Sequence, residues 1–483
     1  MKLESRRGWS YRSANSGSIR DRVSGNPGTT GRYLVQNTLA GEAAQRVPYS
    51  FMEHMVLILV SMSGAYYAGD VGLNLVGGSS RYLFMFGLAS FLMALMVGSG
   101  KRGGIRLSAE TLLMVLWWLW TMLLINTFQS AQFGNRAFPP VMRSTTFSLA
   151  VFLICSGSLA RIRSEVVVKG LVISAALLAL VAVGIGDVRQ SLGSSGYRLG
   201  QLTTGNSNDF AYRILFGVMG IAYLYQGGSR RSTKLWSVAG VVVFTALIGL
   251  TGSRKAFIAE VLFLAIYFVL QYASARKMRR NSAMVTLVGL LLVGIGMQFV
   301  VTKTQMGERL KAGLEVERQA TTTEERMDGR ARFYVMASVL FVENPFVGVG
   351  LGRFGDAART QMASHSDYIS IAVGTGSIGF LLYFGAYFLI LLRLQRAVGQ
   401  TVLPTRRLQA QLMQSMLLMV LITALGRWNY DNALTWAALG AAAAFVREES
   451  VKTISTTPNE KMDSAATHFK RRVPVRSGLN GSR

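Results

Sequence analysis

Apolar residues along this chain come in long blocks, not in the stripes of a soluble amphipathic helix or the alternation of a half-buried strand. A helix that crosses a bilayer needs about 20 mostly apolar residues. Blocks near that length are predicted at 51–69, 81–98, 108–128, 144–160, 166–186, 208–225, 235–250, 256–273, 283–301, 368–392, 408–425 and 430–446. The pattern predicts an all-α integral membrane protein with about 12 transmembrane helices over residues 51–446. Segments 1–50 and 447–483 are polar and basic, and both are expected to be disordered tails. One segment between blocks, 302–367, is long for a plain connection. Its stretch 325–341 carries Phe333, Met336, Ala337, Leu340 and Phe341 at helical spacing and meets Pro345 soon after, so a helix lying on the bundle is expected there.

Composition sharpens this picture. Of 483 residues, 51% are hydrophobic and only 16% are charged, against about 25% charged in an average soluble domain. The net charge of +27 would suit a nucleic-acid binder if it formed one patch. Instead the cations recur in alternate short segments: Lys101, Arg102 and Arg106; Arg161 and Arg163; Arg230, Arg231 and Lys234; Arg276, Lys277, Arg279 and Arg280; Arg393, Arg396, Arg406 and Arg407. Segment 70–80 holds no cation. Cations are retained in the cytoplasm, so both tails are expected to be cytoplasmic and the long 302–367 loop non-cytoplasmic. The first fifty residues carry no apolar stretch, and no cleavable signal peptide is expected. A single cysteine, Cys155, excludes a disulfide framework within the chain and reads as a small core residue.

Ionisable groups in or beside membrane helices are costly and mark candidate functional sites. Here they gather at the ends expected to face outward: Arg198, Asp209, Arg213, Arg254, Lys255, Glu260, His365, Asp367, Arg427 and Asp431. Several guanidinium groups at one membrane level suit an anionic headgroup, because the planar fork pairs bidentately with phosphate. The competing reading is interfacial snorkelling and helix capping. Arg254, in a tight Thr251-Gly252-Ser253 turn on the side the charge rule keeps free of cations, argues most strongly for binding. Among the histidines, His54 lies at an inner interface and His468 in a tail, which leaves His365 at the outer mouth of a predicted span. Asp367 is placed to orient its ring, and Gly376 and Gly379 are expected to share one helical face that admits a close neighbour. The Gly348-Val349-Gly350-Leu351-Gly352 run follows a helix and not a strand, so it is no nucleotide loop. There is no nucleophile elbow and no paired-histidine metal spacing.

These pieces together resemble the O-antigen ligase and O-antigen or exopolysaccharide polymerase superfamily of bacterial envelopes. His365-Ser366, nine residues, then Gly376-Ser377-Ile378-Gly379 is similar to the family's His motif. Asn344-Pro345 through Gly348, Gly350 and Gly352 looks like its Asn-Pro…Gly-x-Gly turn, and Thr251-Gly252-Ser253-Arg254 like its Ser-Arg turn. Arg198-Leu199-Gly200 followed by Asn206-Ser207-Asn208 looks like its Arg…Asn-x-Asn segment, with Ser207 where proline is common. The resemblance covers about residues 190–390. It implies a metal-independent glycosyltransferase of the inner membrane, without cofactor, acting at the periplasmic face on undecaprenyl-diphosphate-linked glycan. Two acceptors are implied: a second lipid-linked repeat unit, for a polymerase, or the lipid A core, for a ligase. A chain-length regulator would be a further partner, and a polysaccharide transporter or flippase is the alternative outside this class. On this reading His365 is the catalytic base, Arg254, Arg198 and Arg213 bind the diphosphate, and Asp367, Glu260, Gly376, Gly379 and Asn208 support them.

Overall fold

The computed structural model describes residues 48–72, 107–133, 140–193, 197–228, 231–274, 329–358, 366–401 and 403–470. Its described residues are all helix and connection, without strands. The helices are α1 (Phe51–Gly72), α2 (Ala109–Phe133), α3 (Pro140–Cys155), α4 (Ser164–Gly184), α5 (Asp187–Gly193), α6 (Gln201–Thr204) and α7 (Ser207–Gly227). Next come α8 (Arg231–Leu250), α9 (Arg254–Ser274), α10 (Gly329–Glu343), α11 (Phe354–Ala357), α12 (Asp367–Gln400), α13 (Pro404–Thr423) and α14 (Ala433–Lys470). Ten of the twelve predicted spans coincide with helices; 81–98 and 283–301 lie outside the described residues. By length and composition, α4, α8 and α12 are apolar enough to cross a membrane, and the fold is that of a helical membrane protein. α14 runs on to Lys470, well past the expected boundary at 446. Arg406 pins its extension by pairing with Glu448 at 2.6 Å and Glu449 at 2.9 Å.

The bundle is organised around a buried aromatic group in which Trp117 of α2, Tyr383 of α12 and Trp436 of α14 meet with centroids 4.9–6.1 Å apart. α4 packs between α1 and α7, and α13 between α7, α9 and α12. One end of the bundle is laced by ion pairs: Glu53 with Arg163 (2.7 Å), Glu110 with Arg393 (2.6 Å), and the Arg406 group. Glu448 also accepts the Ser164 N–H, and the Ser164 hydroxyl meets Tyr223 at 3.2 Å. The starts of α4 and α13 and the ends of α7 and α12 therefore share this end. Helix connectivity carries the starts of α7 and α9 and the end of α13 to the other, where Asp367 N–H meets Ala424 O and fastens the start of α12.

α12 departs from the single straight span the sequence suggests. At Gly376 the backbone turns to φ +67°, ψ −173°. Tyr368 and Phe384 would stand about 24 Å apart along an unbroken helix, yet their rings stack at 4.6 Å. The arm 367–375 thus folds back along the arm 377–400, with Gly376 at the apex. The glycine-rich turn 344–352 is laid against this apex. Val349 N–H donates to Val373 O, Gly350 N–H to Gly374 O, and Ser377 N–H to Pro345 O, at 2.8–2.9 Å. Trp120 donates to Thr375 O at 2.9 Å. The carbonyls opened by the break are therefore satisfied, as a break among apolar helices requires. Gly376 and Gly379 do not share one helical face, as an unbroken helix would have had it. Gly376 sits on the Phe346 backbone, and Gly379 packs on Thr375 and near Trp120.

A Cβ at Gly376 would lie 2.1 Å from Phe346 O, on a backbone that L side chains rarely adopt. Left-handed backbone alone costs a non-glycine residue about 1–3 kcal/mol, and the clash adds to it. Gly376→Ala is expected to lower the thermal midpoint and the membrane level of the protein. Gly385→Ala, whose Cβ would meet Leu113 at an ordinary 3.5 Å, is expected to do neither. Equal behaviour of the two variants in a fluorescent-fusion thermal assay would refute the apex lock.

Candidate functional site

The sequence between α4 and α7 folds around Asp187, a buried carboxylate that accepts from Gly200 N–H, Thr203 N–H, the Thr203 hydroxyl and Tyr197 OH. Sequence reasoning passed over Asp187; its signal was an acid placed directly after an apolar block. This hub fixes Arg198. The Arg198 Nε donates to Thr251 O at 2.7 Å and its Nη2 to Asn208 Oδ1 at 3.2 Å. Leu199 N–H adds a bond to Leu250 O. Asn206 caps α7 by accepting Asn208 N–H. The Arg…Asn-x-Asn segment and the Thr-Gly-Ser-Arg turn, fifty residues apart, are thus one structure.

That turn is built for its position. Gly252 adopts φ +58°, Thr251 Oγ1 accepts Ser253 N–H, and Ser253 Oγ accepts Ala256 N–H in the first turn of α9. Arg254 opens α9 with its side chain exposed. Lys255, its neighbour, is turned away to Gly426 O at 2.8 Å. Gly426 lies just past the C-terminal end of α13, where the helix dipole favours a cation.

A second group of charges adjoins through α7. Arg427, in the α13–α14 connection, pairs with Asp209 at 3.0 Å and lies 4.4 Å over the Tyr212 ring. Arg213 is buried one residue further along α7. Asp431 follows Arg427 by four residues in the same connection. Tyr212 was not singled out in the sequence, since nothing in a helical tyrosine marks it as a platform for a distant arginine.

Asp367, fully buried, accepts Asn429 N–H at 2.7 Å and Tyr430 N–H at 3.3 Å. Its own N–H donates to Ala424 O, as does the Ser366 hydroxyl. The start of α12 is thereby fastened to the loop that bears Arg427 and Asp431. His365 lies outside the described residues, one position before this anchor. Glu260, further along α9, is buried, with Thr245 of α8 donating to its Oε1. Gly376 and Gly379 serve the apex and not the charged groups. Among the described residues no cluster of His, Cys, Asp and Glu could hold a metal.

Fold and site together define a helical membrane protein with Arg198, Arg213, Arg254 and Arg427 gathered toward one end of its bundle. Residues 239–384 match the family model described as O-Antigen ligase. Over that stretch, just under a third of the chain, the protein is similar to the O-antigen ligase and polymerase superfamily, whose members are glycosyltransferase-like enzymes. The matched stretch contains the Thr251–Arg254 turn, the 344–352 turn and the Gly376 apex, but neither Arg198 nor Arg427. No curated protein matches the chain.

Proposed function

We propose that this protein is a polymerase that joins undecaprenyl-diphosphate-linked repeat units of an exopolysaccharide or O-antigen at the periplasmic face of the bacterial inner membrane. The observation that carries this reading is the union of the Arg198–Asn208 segment with the Arg254 turn, beside the anchored start of α12. A diphosphate leaving group gathers negative charge as the glycosidic bond breaks, and fixed guanidinium groups stabilise it there. Arg254 is the exposed fork for that charge. Arg198 holds the turn beneath it and gives a second cation, and buried Arg213 supplies positive potential from below. His365 takes the proton of the acceptor hydroxyl as that oxygen attacks the anomeric carbon, and the lipid diphosphate departs with the bonding electrons. The reaction as written draws on side chains alone.

The depth of the site suits a lipid-linked donor. Asp209 precedes Tyr223 by 14 residues of α7, or about 21 Å, measured from the ion-paired end. The hydrocarbon core is about 30 Å thick. On this reading the charged groups lie in a recess of the outer half of the bilayer, level with a diphosphate whose polyprenyl tail stays in lipid. Both termini then face the cytoplasm.

Removal of the gene from its host tests the reading. A polymerase predicts that single repeat units persist on the lipid carrier and on the surface while long chains vanish. Accumulation of full-length chains on the carrier, with none attached to lipid A core, would indicate the ligase instead. Unchanged polymer made but held on the cytoplasmic side would indicate a transporter and sink both.

A further inference from the structure

α10 is apolar on both of its faces. Phe333, Ala337, Leu340 and Phe341 pack with Phe354, Ile369 and Val373 against the first arm of α12. Met336, expected to join them, is instead exposed, together with Tyr334, Val335, Val339 and Val342, the last to 75%. Between Phe333 and Val342 the side-chain polar groups are the phenol of Tyr334 and the hydroxyl of Ser338, which turns back onto Val335 O at 2.7 Å, and the charged residues Arg330, Arg332 and Glu343 stand at the helix ends. Such back-bonding satisfies a hydroxyl without water. A helix lying in water over a bundle would present polar or charged groups outward. This outer face presents tyrosine, methionine and three valines.

The apolar surface does not stop at the helix. Phe346 is 66% exposed in the turn that follows, and Ile378 and Leu381, just past the apex that this turn grips, are exposed in turn. Leu381 belongs to the apolar α12, one of the helices long enough to cross a membrane. One continuous apolar strip therefore runs from α10 across the apex onto the flank of a membrane-spanning arm.

We propose that α10 is a re-entrant half-helix whose outer face lies against the acyl chains of the bilayer, instead of resting on the membrane surface in water. With 15 residues it is about 22 Å long, too short for the core of about 30 Å, so it occupies a single leaflet. Irregular backbone is tolerated at membrane depth only where its polar groups find partners in protein. The 344–352 turn meets that condition through its bonds to Val373, Gly374 and Ser377. The apex lock thus has a second consequence: it lets the chain turn round inside the bilayer.

Site-directed spin labelling of the full chain in phosphatidylethanolamine–phosphatidylglycerol vesicles tests this. Cys155 is buried, so Cys155→Ser gives a background for single labels at Val335→Cys and Val339→Cys. Leu381→Cys serves as the lipid reference and Val451→Cys, beyond the ion-paired end, as the aqueous one. The expected result is relaxation dominated by molecular oxygen at 335 and 339, as at 381, with the ratio to a water-soluble nickel chelate reversed at 451. Dominance of the chelate at both positions would put α10 in water and overturn the proposal. Low access of both reagents would show a protein cover and overturn it equally.

Discussion

Replacing His365 by alanine is expected to lower glycan transfer about 10²–10⁴-fold, the usual worth of a positioned general base, while donor binding and membrane level persist. The histidine directly precedes Ser366, whose hydroxyl and whose neighbour Asp367 are fastened to the end of α13 and to the Asn429–Tyr430 backbone. Those bonds belong to residues 366 and 367, so truncating the imidazole leaves the anchor in place. Asp367 Oδ1 is engaged by two backbone donors, which gives this carboxylate a structural task of its own beside any part in orienting the ring. Transfer is best followed with a defined lipid-linked repeat and reconstituted protein, and retention with undecaprenyl diphosphate. Full transfer by His365→Ala would end the catalytic assignment, and loss of the protein from the membrane would make the histidine structural.

Arg254→Lys is expected to cost roughly 10²-fold in transfer, the order found when one fixed donor to a developing charge is removed. Lysine keeps the charge but not the two-pronged fork that matches a phosphate. The side chain of Arg254 is exposed at the first position of α9, and the turn before it is held by Thr251, Gly252 and Ser253. Folding should therefore survive the exchange, and the loss should appear in activity and in weaker undecaprenyl diphosphate retention. Lysine activity equal to that of arginine would leave Arg254 a snorkelling cation. Arg198→Lys gives an internal contrast. Its bonds to Thr251 O and Asn208 brace the turn, so its loss should also lower the thermal midpoint, which Arg254→Lys should not.

Much of the helical layout was legible in the sequence because the requirement that sets it is local. A bilayer demands a stretch of apolar residues of fixed length, and every such stretch announces itself without reference to its neighbours. The gathering of Arg198, Arg213, Arg254, Asp367 and Arg427 toward one end followed from the same counting, since alternate span ends must share a side. Helix 329–343 was likewise visible in the spacing of Phe333, Ala337 and Leu340.

Only the tertiary structure decided how these parts meet. A glycine reads the same whether it allows two helices to touch or breaks one, and the fold of α12 at Gly376 depends on a turn thirty residues earlier that supplies partners for the opened backbone. The bond from Arg198 to Thr251 O joins residues that share no periodicity, so no local pattern contains it. Asp187 and Tyr212 gain their roles from groups brought near by packing, a hub for one and a platform for the other. The sequence by itself determined which residues must leave water and which charges gather at each end of the bundle; which charges stand side by side is set by long-range packing, where distance along the chain has no bearing on distance in space.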